Sequence, residues 1–131
     1  MKFAEAFSRL GYDLRLPRLH WSSSNDTGVA ITLWRSEIDW KSKPLTMDTL
    51  RHCGPPETWN PAGNNQRIRD LAVALEKFDG WIDVVIVDGV PGEGVDKATP
   101  WTPPERQGLK WRVRNFDPES GHFIAEAIAP V

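Results

Sequence analysis

Three tryptophans, Trp40, Trp59 and Trp101, fall in stretches rich in proline and glycine, outside any run with helical or strand periodicity. An indole left in water contributes nothing to a fold. Each of these rings must pack under its own loop or meet a ligand, and a pocket of such rings can stack a base or enclose a methyl group. The chain holds seven Trp against one Tyr and five Phe. The other four, Trp21, Trp34, Trp81 and Trp111, lie on strand-like runs, where a core accounts for them.

The cations come next. Lys110, Arg112 and Arg114 alternate with Trp111 and Val113. A strand places the three on one face about 7 Å apart, which suits a phosphate backbone. The plainer reading is a solvated face neutralised across a hairpin by Glu126 or Glu119. Arg15, Arg18 and His20 form a second basic cluster, and Arg67 with Arg69 a third. Arg18 joins the strand cations as a candidate phosphate contact.

Groups for catalysis are scattered. His20, His52 and His122 show no metal-ligand spacing, so no metal and no cofactor is expected. His52 and Cys53 are sequence neighbours, which rarely makes a nucleophile pair, and Cys53 reads as a small packed thiol. Glu37, Asp39, Asp83 and Asp88 flank or interrupt strands and can hold magnesium, but strand-end caps or ion pairs explain them as well. Asp83 lies inside an apolar run, so it must be paired or at an exposed strand position. Gly89-x-x-Gly92-x-Gly94 follows a strand, yet matches neither common phosphate-loop spacing. No catalytic residue is assigned, and an enzyme is the less favoured class.

The elements that must position these residues fit one domain over 1–131. One cysteine excludes an intrachain disulfide. The N-terminal stretch lacks the apolar segment of a secretory signal, and no run approaches a membrane span, so a cytoplasmic protein without membrane contact is expected. Net charge is -2, so only local clustering of cations points to nucleic acid.

Phe3, Phe7 and Leu10 recur at helical spacing before Gly11. Leu19 to Ile38 reads as a hairpin about Asn25-Asp26-Thr27-Gly28. Residues 39–62 are irregular. The clearest helix opens at Asn64, with Ile68, Leu71, Ala72, Leu75 and Phe78 on one face and Arg67, Arg69, Asp70, Glu76 and Lys77 on the other. Asp79-Gly80 ends it. Trp81 to Val87 is apolar on both parities, as a strand covered on both sides must be. A second loop covers 88–108. Leu109 to Phe116 and His122 to Ala129 form a closing hairpin. The fold class is α+β: a mixed or antiparallel curled sheet of about five strands on one main helix, plus a short N-terminal helix.

The segments Leu16-Pro17-Arg18-Leu19-His20-Trp21-Ser22, Leu33-Trp34-Arg35-Ser36-Glu37, Trp81 to Val87 and Gly121-His122-Phe123-Ile124-Ala125-Glu126, in this order, resemble the N-terminal DNA-reading head domains of modification-dependent HNH-type restriction endonucleases and their stand-alone relatives. The likeness is one of order and texture over most of the chain. It implies a domain that holds a flipped or modified base in an aromatic pocket. The HNH motif itself is missing from this sequence, so the resemblance implies a reader without a cutter. It assigns no individual residue.

The expectation is therefore a DNA- or RNA-binding module. Trp40, Trp59 and Trp101 stack bases, and Arg18, Lys110, Arg112 and Arg114 hold phosphates. The alternative is a protein-interaction domain, such as a phage or mobile-element factor that binds and inhibits a host complex, with the same residues as anchors. A small magnesium nuclease using the four carboxylates is the third class.

Overall fold

The computed structural model describes residues 3–14, 20–49, 59–89, 99–100 and 110–128. Along these run α1 (Phe3–Arg9), β1 (Ser22–Asn25), β2 (Gly28–Trp34), a one-turn helix at Arg35–Glu37, β3 (Ile38–Asp39) and β4 (Leu45–Asp48). Then follow α2 (Pro61–Lys77), β5 (Trp81–Asp88), β6 (Thr99–Pro100), β7 (Lys110–Phe116) and β8 (Phe123–Ile128). The class is α+β, as expected.

The sheet has eight strands rather than about five, in the order β1-β2-β5-β7-β8-β4-β3, with β6 beside β5. The additional strands are β3, β4 and β6, of two to four residues. β4 and β6 lie inside the stretches read as irregular and β3 begins at Ile38, where the expected first hairpin ends; all three are too short to show an alternation. β2 and β5 pair in parallel. The other pairs are antiparallel.

The connection from β2 to β3 forces the sheet to curl. In the sheet order the two strands are five spacings apart, about 24 Å if the sheet were flat. The chain from Trp34 to Ile38 reaches at most about 14 Å. The far edge must therefore bend back toward β2, wrapping the sheet around α2. Ile38 accordingly shares one core with Val29, Ile31 and Leu33 of β2, Ile82, Val84 and Ile86 of β5, Trp111 and Val113 of β7, and Leu71 and Ala74 of α2. The outer face of β2 and β5 is covered by α1. Phe3 and Phe7 pack there against Ala30, Val85 and Val87. This double cover is why β5 is apolar on both parities.

α2 begins at Pro61, three residues before the expected Asn64. Asn60 caps it: its side-chain oxygen accepts from the Ala62 and Gly63 N–H groups at 3.0 and 3.4 Å. Asp79 and Gly80 end it in the left-handed region, with φ 54° and 83°. Its buried face differs from the periodicity reading. Gly63, Arg67, Asp70, Leu71 and Ala74 point inward, while Leu75 is 41% exposed. Arg67 and Asp70, placed on the polar face by sequence, are 7% and 1% exposed. The stripe is rotated because polar partners wait inside. The Ser22 hydroxyl donates to Asp70 at 2.5 Å, and the Gln66 amide donates to both Asp70 oxygens at 3.1 and 3.2 Å. Aromatic rings surround the Arg67 guanidinium: Trp21 at 4.8 Å, Trp59 at 5.2 Å and Phe123 at 4.9 Å. No helix among the described residues is long and apolar enough to cross a membrane.

Candidate functional site

The strand directions define two rims of the curled sheet. One rim carries the C-terminal end of β8 and the N-terminal ends of β4 and β7; the C-terminal ends of β2 and β5 point the same way, but β5 meets β7 only at its start, where Trp81 pairs with Arg112 and Ile82 with Trp111. The other carries the opposite ends and the entry to α2.

On the first rim, β3 and β4 form a hairpin in which Asp39 pairs with Thr46. Its tip is Trp40-Lys41-Ser42-Lys43-Pro44. The tip is held by its own bonds. The Trp40 indole N–H donates to the Arg35 carbonyl at 2.9 Å. The Lys41 N–H donates to the Asp39 carboxylate at 3.1 Å, and the Ser42 hydroxyl to the Asp39 carbonyl at 3.0 Å. The indole stays 41% exposed. Lys41 and Lys43 are exposed beside it.

Lys110 belongs to the same rim. Leu45 pairs with Ala127, and Lys110 with Ile128. Lys110 therefore starts β7 two strand spacings from the foot of the hairpin tip, about 10 Å away. Among the described residues no carboxylate forms an ion pair with Lys41, Lys43 or Lys110. Arg35 is different, since its guanidinium pairs with Asp88 at 2.7 Å.

The second rim holds Trp59. Its ring meets His122 edge to face at 5.1 Å and covers the Arg67 guanidinium. His122 Nδ1 stands 2.9 Å from the Thr49 hydroxyl. That hydroxyl accepts from the Phe123 N–H at 2.9 Å and donates to the Phe123 carbonyl at 3.2 Å. Nearby, the Asp117 carboxyl is held below its usual range by the Glu119 N–H, with help from the Ser120 hydroxyl. This group reads as structural: a buried guanidinium under aromatic rings and a histidine locked to a threonine.

Of the residues singled out by sequence, the structure brings Trp40 and Lys110 to one rim and sends Trp59 to the other. The length of β4 alone separates the two tryptophans by about 13 Å. Arg112 and Arg114 are engaged by carboxylates. Arg112 donates to the Asp79 carboxylate at 2.7 Å and to its carbonyl at 2.9 Å, and its guanidinium lies 5.3 Å from the Trp81 ring centre. Arg114 reaches Glu126 at 3.1 Å, the cross-hairpin neutralisation weighed from sequence. A register shift between Val113 and Asn115 interrupts the regular alternation at Arg114. Trp101 and Arg18 lie outside the described residues, as do Arg15, His52, Cys53, Gly92 and Gly94.

Sequence reasoning missed Lys41 and Lys43. The signal was present as a lysine pair flanking Ser42 after a loop tryptophan. It carried no weight without a hairpin to put them at a tip. Trp81, assigned to the core, is 38% exposed: it is the first residue of β5, and the cluster that α1 forms with this strand takes Val85 and Val87. Trp111 is buried as expected. The strand carboxylates have structural partners. The Tyr12 hydroxyl donates to Asp83 at 2.6 Å, Asp88 pairs with Arg35, and Asp39 closes the hairpin tip. Among the described residues no cluster of three or more His, Cys, Asp or Glu is placed to hold a metal ion. Comparison with protein-family models, curated proteins and solved structures returns no match.

Proposed function

We propose that the protein is a nucleic-acid-binding module whose contact surface is the rim formed by Trp40, Lys41, Lys43 and Lys110. The observation that carries this reading is the β3–β4 tip. It presents a half-exposed indole, its N–H held by the Arg35 carbonyl, followed by two exposed lysines, with Lys110 on the same rim. Aromatic faces stack bases and ammonium groups neutralise phosphates. Arg112 and Arg114 are not part of this surface, because carboxylates already engage them. The resemblance to DNA-reading head domains implies the same ligand class.

The test is a binding titration with DNA and RNA oligonucleotides at two salt concentrations, on the wild type and on a Lys41→Gln/Lys43→Gln/Lys110→Gln variant. Binding that weakens with salt in the wild type and is lost in the variant is expected. Absence of binding to every oligonucleotide would overturn the reading.

A second reading rests on the start of β5. Trp81 and Leu75 are exposed, the Arg112 guanidinium covers Trp81, and the Arg112 stem and Leu75 both flank Gly80. Tryptophan and arginine together are typical anchors of protein interfaces. This reading predicts a stoichiometric protein complex that Trp81→Ala disrupts and Trp40→Ala leaves intact.

A further inference from the structure

We infer that α1 is a hinged flap over a helix-docking face of the sheet, and that this face takes a partner's amphipathic helix with aromatic residues four positions apart. α1 itself, seated on the face, shows which chemistry the face accepts. Ala30 of β2 and Val85 and Val87 of β5 are buried in this contact. Phe3, Ala6 and Phe7 fill it from the helix side, and the two phenyl rings meet edge to face at 5.3 Å. Phe3 and Phe7 stand one turn apart and so share a face. The opposite side of the helix is polar and exposed: Glu5, Ser8 and Arg9, with Arg9 reaching Glu5 at 3.3 Å. An apolar face laid down and a polar face in water is how a helix occupies a groove.

Two different grips fasten the segment. Residues 11–13, beyond the helix, are pinned by side-chain hydrogen bonds. The Asn25 amide donates to the Gly11 carbonyl and the Ser23 hydroxyl to the Asp13 carbonyl, both at 2.8 Å, and the Tyr12 hydroxyl donates to Asp83 at 2.6 Å. Among the described residues no hydrogen bond joins α1 itself to the sheet. The helix is gripped by apolar contact, and a helix of seven residues is not stable undocked. Between the two grips stands Gly11, with φ 94°, and among the described residues nothing lies within 4 Å of a Cβ added there. A glycine in open surroundings lets the backbone turn. The cluster that holds Phe3 and Phe7 is also separate from the main core of Leu71, Trp111 and Phe123. α1 can therefore lift while β2 and β5 keep their pairing.

A docking face under its own displaceable cover is an autoinhibited site. The partner's apparent affinity is reduced by the fraction of molecules with the flap open. Weakening the flap must then tighten partner binding, the reverse of what loss of a direct contact does.

The experiment uses the full chain as wild type, Phe7→Leu and Phe7→Ala. The probe is a fluorescent peptide with the sequence of residues 3–10, titrated to millimolar concentration, and the control peptide carries Phe3→Ala and Phe7→Ala. Hydrogen exchange read by mass spectrometry follows α1 and β5 in each protein. In the wild type the hydrogen-bonded amides of α1 should exchange faster than those of β5. Phe7→Ala should bind the probe on the order of 100-fold more tightly than the wild type, with β5 still protected. Phe7→Leu, the milder change, should give about 10-fold. The control peptide should not bind. Exchange of α1 and β5 at one rate in the wild type overturns the flap. A Phe7→Ala or Phe7→Leu chain whose α1 exchanges freely and which still does not take the probe overturns the docking face. Control peptide binding as tight as that of the probe overturns the aromatic requirement. Dimers of either variant in light scattering, without probe binding, overturn the partner in favour of exchange between copies.

Discussion

Replacing Gly28 by alanine tests how the N-terminal segment is fastened to the sheet. Gly28 opens β2 and has no positive φ, so its backbone suits any residue. The obstacle is the Tyr12 hydroxyl, which an added Cβ would overlap, while the ring carbon behind it lies at an ordinary 3.6 Å. Tyr12 would have to move, giving up its 2.6 Å bond to the Asp83 carboxylate. A hydrogen bond to a charged group contributes about 1.5–3 kcal/mol. The lower end applies here, because Asp83 is exposed and recovers water. Against that, Gly→Ala in a permissive conformation stabilises by about 0.4–1 kcal/mol through the unfolded chain. The expected net loss is about 1 kcal/mol. In a Tyr12→Phe background the hydroxyl is gone, so the same substitution should become stabilising by about 0.5 kcal/mol. Urea denaturation of the four proteins of this cycle measures the coupling from midpoints at constant slope. Equal costs of Gly28→Ala in both backgrounds would refute the reasoning.

Burial raises the pKa of Tyr12 above its ordinary value, and the hydrogen bond and charge of Asp83 raise it further. Both folded and unfolded chains keep the phenol proton below pH 10.0, the ordinary tyrosine value, so no slope arises there. Above it the unfolded chain loses the proton first, and stability falls as pH rises. Tyr12 is the chain's only tyrosine, so ultraviolet difference absorbance follows it directly, and Tyr12→Phe should remove its part of the alkaline loss. Changing Arg112 and Arg114 together to Gln should shift the salt slope of oligonucleotide binding by less than one, since Asp79 and Glu126 already engage them; a shift of about two would return them to the site. Asn60→Ala should cost about 1 kcal/mol by thermal or urea denaturation, through loss of the α2 cap; an unchanged midpoint would mean that the cap contributes nothing.

Local sequence determined whatever depends on near neighbours. The hairpin turn at Asn25 is legible because the Asn25 side-chain oxygen itself accepts from the Thr27 and Gly28 N–H groups, at 2.8 and 3.0 Å. The stop at Asp79-Gly80 is legible because a left-handed pair ends a helix wherever it occurs. The burial of β5 on two faces is legible because both parities are apolar. The closing hairpin and the α+β class follow from the same periodicities.

Tertiary structure decided the rest, for reasons no window of sequence contains. Arg67 and Asp70 turned inward because Trp21, Trp59, Phe123 and Ser22, from distant segments, supply the rings and the hydroxyl that make their burial tolerable. Arg112 and Arg114 read as a phosphate-binding row until cross-strand and turn carboxylates met them. Trp40 and Trp59 look alike in sequence, both in loops. Only the strand directions put them on opposite rims, one exposed beside lysines and the other packed on a guanidinium and a histidine. The tryptophans raised the expectation of a binding surface, and the curl of the sheet left the one at the β3–β4 tip exposed beside lysines.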